Sequence, residues 1–237
     1  GTDTICYDSE AIPVIGENVS GGNGSYTYIW QKSYDSINFT AATTPLNTNQ
    51  PYIPGRLQQT IYVRRLVTST SYCSSLSNVV TIEVLPRITN NIITSVDTTI
   101  CTGLPAYIKA SKPLNGDGIY RYIWQKKQDN NWINIDNSNS QNLFTENLYD
   151  NTYFRRIVLS GSNDVCRDTS VSYLVTVLPS ITNNIISTDS TKYCYGDKNV
   201  SLKGTSPQGG DGNYNYKWIK KIENNITFLG NTKDYFD

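Results

Sequence analysis

Histidine is absent from all 237 residues, and so is methionine. Without histidine the chain lacks the commonest general base and the commonest metal ligand. It also lacks a Gly-x-Ser-x-Gly elbow, a phosphate loop and an HExxH motif. Charge of one sign is missing as well: 20 Lys and Arg balance 20 Asp and Glu, leaving no net field to draw in nucleic acid or an anionic membrane. No apolar run approaches the roughly 20 residues that span a bilayer. Helix-favouring stretches of Ala, Leu, Glu and Lys are scarce. These absences lead us to expect no catalytic residue, no cofactor, no metal, no nucleic-acid partner and no membrane insertion.

What the chain has is tyrosine, 18 of them against 5 phenylalanines, set among abundant Ser, Thr and Asn. Aromatic and β-branched residues fit a half-buried pleated surface, so the composition reads as all-β. The run Gly22-Asn23-Gly24-Ser25-Tyr26-Thr27-Tyr28-Ile29-Trp30-Gln31-Lys32 organises the rest. It returns with Gly116-Asp117-Gly118, Tyr120, Tyr122 and Trp124, and again with Gly210-Asp211-Gly212, Tyr214, Tyr216 and Trp218. Gly-(Asn/Asp)-Gly predicts a tight turn through positive φ. Alternate positions then place Tyr26, Tyr28 and Trp30, and their counterparts, on one buried face of a strand.

Trp30, Trp124 and Trp218 are spaced by 94 residues, and Val84-Leu85-Pro86 recurs as Val177-Leu178-Pro179. A period of that length suits one immunoglobulin-like sandwich per repeat. In the second copy we predict strands at 88–93, 106–110, 120–127, 132–135 and 143–148, with 152–159 and 171–177 as a closing hairpin. The repeats are expected at 1–86 (opening strand missing), 87–179 (complete) and 180–237 (C-terminal half missing). We therefore read the chain as a window on a longer array. A single Pro joins consecutive repeats, which implies a stiff rod.

Repetition sorts the five cysteines. It suggests one disulfide per repeat, Cys6 with Cys73 and Cys101 with Cys166, with the partner of Cys194 outside the chain. Free buried thiols and a metal site are the alternatives; the absence of His and of CxxC spacing argues against zinc. Disulfides imply an oxidising, extracytoplasmic setting. Asp and Glu are scattered through predicted loops, whereas carboxylate catalysis needs two held together in a cleft. The chain reads as non-enzymatic. Asp117 and Asp211 raise calcium, but Asn23 at the equivalent position favours a turn that needs Asn or Asp at left-handed φ. In Tyr62-Val63-Arg64-Arg65 and Tyr153-Phe154-Arg155-Arg156, we expect Arg64 and Arg155 to stack on the Trp and Tyr rings. Trp132 and Phe39 read as caps on the core, with a sugar platform as the alternative.

These motifs, from Gly-(Asn/Asp)-Gly-x-Tyr-x-Tyr-x-Trp through Tyr-x-Arg-Arg to Val-x-Val-Leu-Pro, resemble the Ig-like repeats of giant cell-surface adhesins of Bacteroidota, such as gliding-motility adhesins of SprB type. The third copy departs from the pattern at Ile219. The resemblance implies type IX secretion and attachment at the outer surface. It also implies adhesion to surface polysaccharide or an abiotic surface. Neighbouring repeats, and outer-membrane motility or secretion machinery reached through other parts of the protein, would be its partners. Asp-(Ser/Thr) steps at Thr4, Ser36, Thr98 and Ser190 resemble O-glycosylation sites of that phylum; an ordinary polar turn is the alternative. The expected function is a non-catalytic stalk or adhesive repeat. A spacer or carbohydrate-binding module of a secreted glycan-active enzyme is the alternative.

Overall fold

The computed structural model describes residues 2–42, 51–69, 73–94, 98–196 and 200–236. Among them, regular structure is β-strand apart from a short 3-10 turn at Ser162–Asp164. Up to Pro86 these are β1 (Thr2–Cys6), β2 (Ser9–Glu10), β3 (Thr27–Ser33), β4 (Thr40–Ala41), β5 (Arg56–Leu57), β6 (Ile61–Thr68), β7 (Ser74–Leu76) and β8 (Val80–Leu85). Then come β9 (Thr99–Cys101), β10 (Tyr107–Ile108), β11 (Arg121–Gln128), β12 (Asn131–Asn134), β13 (Leu143–Phe144), β14 (Thr152–Ser160), β15 (Cys166–Thr169) and β16 (Tyr173–Leu178). The remainder holds β17 (Ile186–Thr188), β18 (Ser201–Gly204), β19 (Trp218–Ile222), β20 (Asn225–Gly230) and β21 (Tyr235–Phe236). The chain divides into two units, Gly1–Ser95 with Ile108–Leu143 and Tyr153–Tyr173, and Val96–Tyr107 with Phe144–Thr152 and Leu174–Asp237.

In the first unit one sheet runs β1-β8-β6-β3-β4, with β7 also pairing β6. The alternation of β6 turns Ile61, Val63, Arg65 and Val67 inward. Across from them β2 pairs with β5, and Val14 bridges Tyr52. Ile5, Trp30, Tyr52, Ile61, Val63 and Ile82 close the core between these layers, and the rings of Trp30 and Tyr52 stack at 5.9 Å. Burying an indole removes enough apolar surface to contribute at most about 4–6 kcal/mol. This is an immunoglobulin-like sandwich, and the chain carries such sandwiches in tandem.

The same unit contains β11, which pairs antiparallel with β12 on one side and β14 on the other, while β15 pairs with β14. Trp124 is fully buried here, as Trp30 is in the first sandwich. Tyr26, Tyr28, Tyr120 and Tyr122 are half-buried. The hydroxyl of Tyr120 donates to the carbonyl of Asn115 at 2.7 Å, and Tyr26 donates likewise to Gly21. Their rings cover the core edge while their hydroxyls close the preceding turn.

In the second unit β9 runs parallel beside β16, β18 sits between β17 and β21, and β19 forms a hairpin with β20. Trp218 is only half-buried there. Its indole N–H donates to the carbonyl of Thr232 at 2.9 Å, and its ring lies 6.1 Å from Tyr235. Beside it a cleft of about 310 Å³ is lined by Ile181, Ile186, Tyr214 and Tyr216, the last two also half-buried.

Several sequence expectations are corrected. The expected strand at 88–93 keeps only two bridges, Thr89 to Leu114 and Ile93 to Ala110. Asn90 takes φ 57°, as Asn183 takes 58° in the next copy, and a left-handed residue interrupts a ladder. An unforeseen strand, β15, also pairs with β14, and the Cys6 and Cys101 segments are themselves strands, β1 and β9. In the glycine turns it is the glycines, not the Asn or Asp between them, that are left-handed, for example Gly116 at 64° and Gly118 at 84°. The middle side chain instead accepts hydrogen bonds. Asp117 Oδ1 takes the amide of Ile119 at 2.9 Å and the hydroxyl of Ser160 at 2.5 Å, and Asn23 does the same with Ser25 and Ser69.

A Cβ added to Gly116 would lie 2.3 Å from Ser160 Oγ, whereas one on Gly118 meets nothing within 4 Å among the described residues. Gly116→Ala should therefore destabilise by about 2–4 kcal/mol, through left-handed strain plus overpacking, and Gly118→Ala by about 1 kcal/mol. Urea denaturation of both variants checks the difference.

Candidate functional site

Two arrangements stand out, a sulfur clamp at the boundary between sandwiches, Cys6–Cys166, and a pair of arginines split across one strand, which recurs in both sandwiches. The clamp begins with β1, which lies parallel to β8 so that Cys6 sits opposite Leu85, and the amide of Tyr7 donates to the carbonyl of Leu85 at 2.8 Å. Cys6 thus reaches the exit of the first sandwich. There Leu85 and Ile88 pack with Val158 and Cys166, and Cys6 and Val165 close the cluster. Gly161, at φ 82°, lets this happen: a Cβ there would lie 2.7 Å from Leu85 and 2.8 Å from Val165.

Cys6 is bonded to Cys166, with Cα atoms 5.0 Å apart and a sequence separation of 160 residues. The expected pairs Cys6–Cys73 and Cys101–Cys166 are not formed. Cys73 follows the far end of β6, where its carbonyl accepts from the amide of Ser69 at 2.8 Å. The length of β6 separates it from Cys6 by about 25 Å at roughly 3.3 Å per residue, far beyond the roughly 4.4–6.8 Å a disulfide spans. Cys73 and Cys101 are exposed free thiols, and Cys194 is exposed. In the chain-entropy account a loop of this size stabilises by about 5 kcal/mol.

The two arginines of each Tyr-x-Arg-Arg motif face opposite ways, and the inward one is the second, not the first as expected. Strand parity decides this, because Arg65 shares a face with Ile61 and Val63 and lies opposite Trp30, as Arg156 lies opposite Trp124. Arg156 is fully buried. Its Nε donates to Asn91 Oδ1 at 2.9 Å, and Nη1 and Nη2 donate to the carbonyls of Gln141 and Ser111, each at 2.8 Å. The guanidinium lies 5.2 Å from the centre of the Tyr122 ring and 5.8 Å from that of Trp124. Burial pulls its pKa down, while Tyr122 and Asp168 oppose this. Asp168 is held through Asn91, whose amide donates to its carboxylate at 2.9 Å.

The outward arginines build a second aromatic clamp. Arg155 lies 4.2 Å above the ring of Trp132, and its Nε donates to Gln125 at 2.7 Å. Arg64 lies 3.9 Å above Phe39 and donates to Gln31 at 2.7 Å. Trp132 and Phe39 are thus covered by arginine, neither capping the core nor presenting a bare ring. The Gln after each Trp completes this clamp, a role the recurring Trp-Gln-Lys could have signalled.

The other singled-out residues fall elsewhere. Thr4 lies in β1 and donates to Glu83 at 3.2 Å. Ser36 is exposed in a turn at φ 63°. There Asp35, drawn well below the usual carboxylate range, accepts from the amides of Asn38 and Ile37 and from Ser33. Thr98 and Ser190 are exposed, and Asp97 lies outside the described residues. Hydrogen bonds from Ser160 and then Ile119 hold Asp117 below the ordinary carboxylate pKa. Asp211 accepts from the amide of Asn213 at 2.9 Å. Among the described residues no group of three or more acidic or cysteine side chains could hold a metal.

A family model described as a domain of unknown function (DUF8696) matches the chain twice, over residues 1–86 and 90–179. The chain belongs to this family. The Cys6–Cys166 bond therefore joins one DUF8696 segment to the next. No curated protein matches the chain. Similar solved structures include murine CEACAM1b, at 13% identity and TM-score 0.41, covering 73% of this chain and 95% of that one. Domains A168–A170 of titin give 12% and 0.43, over 74% and 62% of the two chains. The eight N-terminal Ig domains of Down Syndrome Cell Adhesion Molecule give 11% and 0.33, over 96% and 34%.

Replacing Arg156 by Met would leave Asn91 and two buried carbonyls without their donor. We expect a loss of about 3–5 kcal/mol. Arg155→Met, on the outer face, should cost about 1 kcal/mol or less. Guanidinium denaturation curves for the two variants separate these values.

Proposed function

We propose that this chain is a non-catalytic stalk segment of a long, secreted cell-surface adhesin. Its use would be surface attachment or gliding, as the resemblance to Bacteroidota repeats implies. Attachment to the outer membrane, contact with motility or secretion machinery, and recognition of polysaccharide or an abiotic surface would fall to other parts of that protein or to other repeats. Among the described residues no helix is long and apolar enough to cross a membrane. The division into repeats at 1–86, 87–179 and 180–237 belongs to the same proposal. So do glycans on Ser36, Thr98 and Ser190, whose exposure leaves room for them. Thr4, bonded to Glu83, is the weakest of the four candidates.

The observation that supports a mechanical role is the clamp. Tension applied at the two ends passes from Cys6 across the sulfur bridge to Cys166. The 160-residue stretch between them is thereby shielded from extension. An adhesin that drags a surface would keep its folded repeats this way, and the Cys6–Cys166 disulfide suits an extracellular, oxidising setting.

Pulling the oxidised chain from both termini in a single-molecule instrument should release only the segments outside the clamp. After reduction, full extension should grow by roughly 550 Å, at about 3.3–3.6 Å per residue. Equal extension in both states would contradict the proposal.

A further inference from the structure

The groove around Arg65 is built like the pocket of Arg156 but lacks one of its walls. In the second sandwich, residues 88–94 lie antiparallel along residues 109–114. Thr89 and Leu114 exchange both backbone hydrogen bonds at 3.0 Å, and the amides of Ser111 and Thr94 donate to Ile92 and Lys109. The segment turns Asn91 inward, where it accepts from Arg156 Nε at 2.9 Å and donates to the carbonyl of Arg156 at 3.3 Å. Ile88 is buried beside Cys166.

In the first sandwich the corresponding edge is residues 15–20, and among the described residues none of its amides donates a backbone hydrogen bond. Arg65 is 6% exposed and donates to the carbonyl of Glu17, as Arg156 does to that of Ser111. Its Nε and Nη1, however, have no hydrogen-bond partner among the described residues, and Nε is the nitrogen that Asn91 meets in the pocket of Arg156. A buried guanidinium N–H left unpaired is costly, so the position calls for an acceptor. Beside it lies an open groove of about 400 Å³, lined by Val14, Ile15, Trp30, Val63, Arg65 and Val80. Ile15 is 77% exposed at its rim.

We propose that this groove and edge form a binding site for an extended strand of the Ile-Thr-Asn-Asn-Ile-Ile type, contributed by another repeat of the same kind. The chain itself carries that sequence at 88–93 and again at 181–186. Backbone bonds to residues 15–20 supply affinity by strand addition. The fourth residue, Asn, supplies specificity by accepting from Arg65 Nε, and the first Ile covers the wall near Val67. Cys73, the counterpart of Cys166, stands at the entry, where the repeat that precedes such a strand would bring its first cysteine, as Cys6 is brought to Cys166. The site does not depend on a mechanical role for the chain, so the two can fail separately.

The test uses the full chain and a synthetic peptide of residues 87–95. The peptide should bind saturably by calorimetry and should slow hydrogen exchange at the amides of residues 15–20. A peptide with Asn91→Ala should bind about ten-fold or more weakly, through loss of a hydrogen bond to a charged donor. A scrambled peptide should not bind. Absence of saturable binding, equal affinity of the Asn91→Ala peptide, or protection only outside residues 15–20 would each overturn the proposal. Because the variants are made in the peptide, the fold of the protein is not at risk.

Discussion

Cys6 is carried to the exit of its own sandwich by a strand that runs parallel to the last one, ending opposite Leu85. From there the nearest sulfur belongs to the hairpin of the following segment, and the bond that forms crosses the boundary. The consequence reaches beyond stability. A disulfide inside one sandwich would staple a core that Trp30, Tyr52 and their neighbours already fill. A disulfide across the boundary fixes what hydrophobic burial does not: how firmly one DUF8696 segment is tied to the next. The small apolar cluster of Leu85, Ile88 and Val158 packs at that boundary, and local contacts of this kind open at less than the global unfolding free energy.

The arginine pair shows a different economy. A fully buried guanidinium is expensive unless it is hydrogen-bonded, and here each of its three nitrogens donates, to Asn91, Gln141 and Ser111. Asn91 comes from the segment that enters the sandwich and Ser111 from its edge, so the charge ties together pieces distant in sequence. The outward arginine repeats the theme at lower stakes, pinning Trp132 against Gln125. One dipeptide thus serves both faces of a strand.

Much of this was legible in the residues. Alternation of Tyr, Tyr and Trp after a glycine turn predicts a strand with one buried face, and the 94-residue spacing predicts repeated sandwiches. The details that escaped share a cause. Whether Arg64 or Arg65 points inward depends on strand parity against Ile61 and Val63, and counting from Tyr62 chose the wrong face. The strand at Thr2–Cys6 is short and polar, with no apolar alternation to reveal it, and its parallel pairing sets the cysteine partner. Cysteine spacing within a period says nothing about whether bonds close within a repeat or between repeats. That follows only from which end of the sandwich each sulfur reaches. The inward turn of Asn91 was equally hidden, because nothing in a run read as a strand over 88–93 marks Asn91 as the partner of a buried arginine.

The clamp is tested most directly by digesting the oxidised protein without reduction and identifying the cross-linked peptides by mass spectrometry. The account predicts a peptide containing Cys6 joined to one containing Cys166, with Cys73 and Cys101 open to alkylation. Peptides joining Cys6 to Cys73 and Cys101 to Cys166 would contradict it.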